Sequence, residues 1–164
     1  MSATRFNDAV LSLIAAYSSA AGLSGVPVYD GPAAMTGSDP DFLIVGHTGA
    51  LASDGTLAPD AAAGSFTQGD LEMPGMRQET GWVGCVIVSQ TGDAADVPGR
   101  RQRASDLLAA AEDAAAVNGG YPQDDRGAGL LFDGTASGQF TSRLSTGGAA
   151  VILAYRVSYS SGWN

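Results

Sequence analysis

Residues 28–47, VYDGPAAMTGSDPDFLIVGH, decide how this chain folds, because they admit two opposite readings. Three aspartates, Asp30, Asp39 and Asp41, and the chain's only histidine, His47, fall between apolar runs. Read as chemistry, they are a carboxylate–imidazole pair at a strand end; read as architecture, they are strand, loop, strand. The residue types favour architecture. Asp30-Gly31-Pro32 is a turn sequence, since glycine permits positive φ and proline cannot donate into a sheet. Phe42 to Val45 is continuously apolar and stops at Gly46, the pattern of a strand buried on both faces. His47 stands at its exit. Imidazole suits proton transfer near neutrality, but no nucleophile motif or oxyanion loop accompanies it.

Working outward, Phe6, Val10, Leu13, Ile14 and Tyr17 recur at helical spacing, which predicts a helix over 5–21 with Thr4 as N-cap and Gly22 as its stop. A short VPVY strand follows. Between Thr48 and Gln78 the pattern loosens to Gly, Ala, Asp, Pro and Ser, anchored by Leu51, Leu57, Phe66 and Leu71, and reads as one long irregular loop. Glu79–Asp93, ETGWVGCVIVSQTGD, is the best strand of the chain: Val83, Cys85 and Ile87 point one way, Trp82, Val86 and Val88 the other. GRRQRASDLLAAAEDAAAVNGG then predicts a second helix, with Leu107, Leu108, Ala111, Ala114 and Ala115 inward and a stop at Asn118-Gly119-Gly120. Three further strands are expected at 129–132, 139–145 and 149–159, with a turn over 133–138. The order predicts an α+β fold: one mixed, mostly antiparallel sheet with two α-helices packed on one face.

Composition bounds the rest. The 164 residues are 45% hydrophobic and 15% charged, enough for one core, so a single domain over 1–164 is expected. The net charge is −9 and all eight cations are arginines, which disfavours a protein that grips nucleic acid by its phosphates. Cys85 is the only cysteine, so neither an intrachain disulfide nor a cysteine zinc site can form. The N-terminal apolar run is interrupted by Asp8 and Ser12 and lacks a basic lead, and no run approaches the ~20 apolar residues of a membrane helix.

The chemical motifs are thin. Asp124-Asp125 and the Asp39/Asp41 pair lack the alternating ligands and terminal Glu of a calcium loop. Gly134, Gly138 and Gly147-Gly148 open no helix, and no Gly-Lys-Ser/Thr exists, so a phosphate cradle is not expected. Catalytic, cofactor and metal sites are therefore expected to be absent. One feature stands out: Arg100, Arg101 and Arg103 at the start of the second helix, where the helix dipole disfavours positive charge. They fit either a solvated helix end or a carboxylate contact on a neighbouring subunit.

The helix, the VYDGP turn, the FLIVGH strand, the E-x-x-x-V-x-C-x-I strand with its Gly-Asp turn, the Arg-led helix and the closing VILAYRVSY strand together resemble a tail terminator protein of siphovirus-type actinobacteriophages. That resemblance spans most of the chain through short motifs and implies a non-enzymatic virion protein of the tail neck. Its implied partners are copies of itself in a hexameric ring, the major tail tube protein, and a head-side connector or stopper, with genome DNA passing through the lumen unbound. Arg100, Arg101, Arg103, Phe66, Leu71 and Arg77 are the expected interface residues. Another neck or head–tail joining protein shares these traits; a small hydrolase using His47 is the alternative from a different class.

Overall fold

The computed structural model describes residues 4–31, 39–70, 77–118, 130–145 and 147–163. Helix α1 (Phe6–Ser19) and a 3-10 turn (Ala21–Leu23) lead into β1 (Val28–Asp30), β2 (Asp41–Val45), β3 (Gly64–Asp70) and β4 (Arg77–Thr91). Helix α2 (Val97–Asn118), β5 (Leu130–Ser145) and β6 (Gly148–Trp163) complete the chain. The strands form one sheet in the order β1-β2-β4-β6-β5, with β3 also on β4. Only β1 and β2 run parallel; the other pairs are antiparallel. This is the α+β class that the alternation of patterns predicts.

The sheet is built on β4 and β6, which pair from Arg77↔Trp163 to Thr91↔Ala149. Strands of this length reach about 50 Å. The other edge of β4 is shared, β3 taking Arg77 to Val83 and β2 taking Cys85 to Ser89. Gly84 is the junction. Its N–H donates to Ala63 O (2.9 Å), and its carbonyl accepts from Gly46 N (2.8 Å) and His47 N (3.0 Å).

Period-two alternation puts the helices on one face. Ala9, Val10, Leu13 and Tyr17 of α1 and Ala104, Leu107, Ala111, Ala114 and Ala115 of α2 pack over Leu43, Val45, Val83, Cys85, Ile87, Val151, Leu153, Tyr155 and Val157. The alanine-rich face of α2 lets the helix approach closely. On the opposite face Phe42, Ile44, Val86, Val88 and Ile152 form a smaller cluster with Leu57. Leu57 belongs to the segment 47–63, which lies across that face and is held by Thr48 N to Ala62 O (3.0 Å) and Ala58 N to Ala50 O (2.8 Å).

Three expectations are corrected. The stretch 48–78 is not one loop, because β3 forms inside it and β4 begins at Arg77. GSFTQGD carries little apolar alternation, and its pairing with β4 makes it a strand. The expected turn at 133–138 and the strands flanking it are one strand, β5, with register shifts at Phe132/Gly134 and Thr135/Ser137; Gly134 sits at the first with φ +96°. These bulges keep pairing with β6 across a turn-rich sequence. Helix α2 starts earlier than expected, at Val97, where Asp96 Oδ1 accepts the Gly99 N–H (3.2 Å), so Arg101 and Arg103 lie in its second turn. The glycine stop after Asn118 and the pair Asp124-Asp125 fall outside the described residues.

The core holds three hydroxyl or thiol groups in contact. Tyr155 Oη donates to Tyr17 Oη (3.2 Å), and Cys85 lies beside both. Burial pushes the Cys85 thiol up to about 12 and both phenols well above their usual range. In the folded chain these groups stay protonated above the pH at which the unfolded chain loses their protons. The stability they contribute is thus complete below about pH 8.5 and is lost as pH rises toward 12. Urea unfolding between pH 8 and 11 should show falling stability in the wild type, with a shallower fall in Cys85→Ala; equal slopes would refute the assignment.

Candidate functional site

The arginine cluster is the first place to look for function. Asp41 opens β2 directly across from Ser89 of β4, so both side chains face the helices. Ser89 Oγ donates to Asp41 Oδ1 (2.7 Å), and Arg103 Nε donates to Asp41 Oδ2 (2.9 Å). Arg100 reaches toward the same carboxylate at 4.0 Å, donates to Ser89 Oγ (3.4 Å) and pairs with Asp96 (3.3 Å). Two of the three arginines therefore fasten α2 to the sheet within one chain, which accounts for positive charge near a helix N-terminus. Arg101 is exposed. The partner lies about sixty residues away in sequence, beyond the reach of local pattern.

The other expected interface residues are dispersed. Phe66 sits mid-β3 on the helix face, 45% exposed, its ring 6.3 Å from that of Phe6. Arg77 is exposed at the start of β4, in register with Asp70 and Trp163. Leu71 lies outside the described residues.

His47 is fully buried, with both ring nitrogens committed. Nδ1 accepts the Gly49 N–H (2.9 Å), which leaves the proton on Nε2 to donate to Ala58 O (2.8 Å). No hydrogen bond joins it to a carboxylate among the described residues. Asp30 ends β1, Asp39 accepts from Tyr29 Oη (2.9 Å), and Asp41 serves the arginines. The opening stretch is thus strand, loop, strand, and its histidine staples the segment 47–63 to itself. Among the described residues no group of three or more His, Cys, Asp or Glu is placed to hold a metal ion.

Sequence reasoning missed a buried carboxylate. Glu79 has no exposed surface and accepts four hydrogen bonds. Oε1 takes the Arg5 N–H (3.0 Å) and Tyr159 Oη (2.7 Å); Oε2 takes Thr4 Oγ1 and Gln68 Nε2, both at 2.8 Å. One side chain thereby ties the start of α1, β3 and β6 together. Its negative charge also lies at the positive end of the α1 dipole. The expected N-cap, Thr4, stands one residue before Arg5, the N-cap of the helix, and its Oγ1 accepts the Phe6 N–H (3.1 Å). The available signal was parity: Glu79 shares a face with Val83, Cys85 and Ile87, so its carboxylate had to find donors in the core.

Three surface features stand beside these sites. Leu131, Phe140 and Leu144 of β5 are 55%, 44% and 65% exposed at the edge of the sheet. On the face away from the helices, Arg156 lies with its guanidinium carbon 4.0 Å above the Trp82 ring. An open depression at one end of the sheet is lined by Pro40, Gln90, Thr91 and Gly148, with Arg143 the only charged side chain among its described lining residues. No family model and no curated protein matches the chain.

Proposed function

We propose that the chain is a structural subunit of a siphovirus-type phage tail, a tail terminator that caps the tube as a ring and offers its other surface to the head-side connector. The observation that carries this is the exposed β5 edge. Sixteen residues of strand, with Leu131, Phe140 and Leu144 uncovered, border the sheet and pair only with β6 among the described residues. A long edge with exposed apolar side chains is a template for another chain. The motif resemblance supports the same reading. So does the commitment of His47, Glu79 and Cys85 to internal contacts, which leaves none of the three open to a substrate. A net charge of −9 suits a ring around a DNA conduit, because phosphates pass an acidic wall without sticking.

The test is tube growth. Major tail tube protein polymerising with a sub-stoichiometric amount of this chain should give tubes markedly shorter than in its absence, with the chain at one end. Tubes of unchanged length with no bound chain would overturn the terminator reading in favour of another neck component.

A further inference from the structure

Rings close through two different patches on each subunit. Two copies of a chain with net charge −9 repel unless the touching patches differ in sign. The question is where this chain keeps an unspent cation and an unspent anion. Arg5 is paired with Asp8 (2.8 Å), and Arg100 and Arg103 serve Asp41. Arg77, Arg101, Arg143 and Arg156 are exposed and in no ion pair among the described residues. Arg156 alone of these four is held over an aromatic ring, its guanidinium carbon 4.0 Å from the centroid of Trp82, a contact that suits a guanidinium meeting a carboxylate.

Its surroundings favour an anionic visitor. The register puts Ser65, Thr67, Thr80, Ser158 and Ser160 on the same sheet face as Trp82, a field of neutral hydroxyls with Asp133 at its rim. Arginine and tryptophan are also the side chains most often found to dominate binding energy at interfaces.

The matching anion lies on the opposite layer. Asp106, Glu112 and Asp113 are exposed on α2. Asp106 accepts from Gln102 Nε2 (2.9 Å). Glu112 and Asp113 are in no ion pair among the described residues. An adjacent pair of exposed carboxylates on the helix layer is thus without a cation among the described residues.

We propose that Arg156, stacked on Trp82, is the cationic anchor of a head-to-tail contact between copies of this chain, receiving the Glu112 and Asp113 carboxylates of the neighbouring copy. The contact joins the helix layer of one subunit to the open sheet face of the next, so it is heterologous, as a ring requires. It rests on the ring reading above.

The test is charge exchange read by native mass, over a range of concentrations and on tail tube ends. Arg156→Glu alone and Glu112→Arg with Asp113→Arg should each weaken association on the order of a hundredfold. All three substitutions in one chain should recover most of it, which also shows that the variants fold. Arg156→Lys keeps the charge but loses the fork and should fall between. If the wild type assembles and Arg156→Glu assembles equally well, or the combined variant is no better than its parents, this contact is wrong while the ring stands. A wild type that assembles neither alone nor on tube ends takes both down. A monomer that needs Arg156 to bind tube ends would assign the anchor to the tube protein and overturn the self-contact.

Discussion

Replacing Glu79 by alanine should destabilise the fold by about 3–5 kcal/mol, among the largest effects of any single substitution in this chain. The deletion removes the acceptor that four donors share at one buried carboxylate, Thr4 Oγ1, the Arg5 N–H, Gln68 Nε2 and Tyr159 Oη, the last in a fully buried bond. The cost of a donor left buried without an acceptor exceeds the net gain of the bond it made. Glu79→Gln is a sharper probe, since it keeps the volume but turns one acceptor oxygen into a donor amide, and should cost about 2 kcal/mol. Ser161 lies across the ladder from Glu79, and its buried Oγ has no hydrogen-bond partner among the described residues. Ser161→Ala should therefore stay within about 0.5 kcal/mol of the wild type. Urea unfolding midpoints would check all three, and a Glu79→Ala protein within 1 kcal/mol of wild type, by order of magnitude, would contradict the role given to the carboxylate.

Gly84→Ala is the second large effect. A methyl group there would meet the backbone of the segment that follows β2, at 2.6 Å from His47 O and 2.8 Å from His47 C. Neither atom is the free end of a side chain, so relief requires moving the backbone where β2 and β3 share β4. The expected loss is about 2–4 kcal/mol. Because His47 carries the hydrogen bonds that hold 47–63 over the sheet, proteolytic nicking in that segment should accelerate as well. Gly69 in β3 is the control, for a methyl group there meets nothing within 4 Å. Thermal unfolding of the two variants should separate them clearly; equal midpoints would show that 47–63 yields freely.

Much of this architecture is legible in the residues. Both helices, β1, β2 and the central strand β4 follow from spacing, and the alternation of β4 assigns its two faces to two clusters as the register has them. What escapes is non-local. β3 is a strand because β4 offers it an edge, not because GSFTQGD alternates. The turn residues around Gly134 are absorbed as bulges, since pairing with β6 on both sides outweighs the local preference of Gly and Ser for a turn. The arginines at the head of α2 show the same limit at the site level. Their composition announces an anion partner, but only the fold discloses that Asp41 and Asp96 supply it to Arg100 and Arg103. Trp82 and Arg156 were individually ordinary in sequence; opposite strands bring them together.

Whether this chain assembles around a tube end is answered most directly by its native mass in solution, alone and with major tail tube protein. The expected result is a closed ring, or a monomer that becomes one on tube ends and stops their growth. A stable monomer that leaves tube length unchanged at every concentration would contradict it.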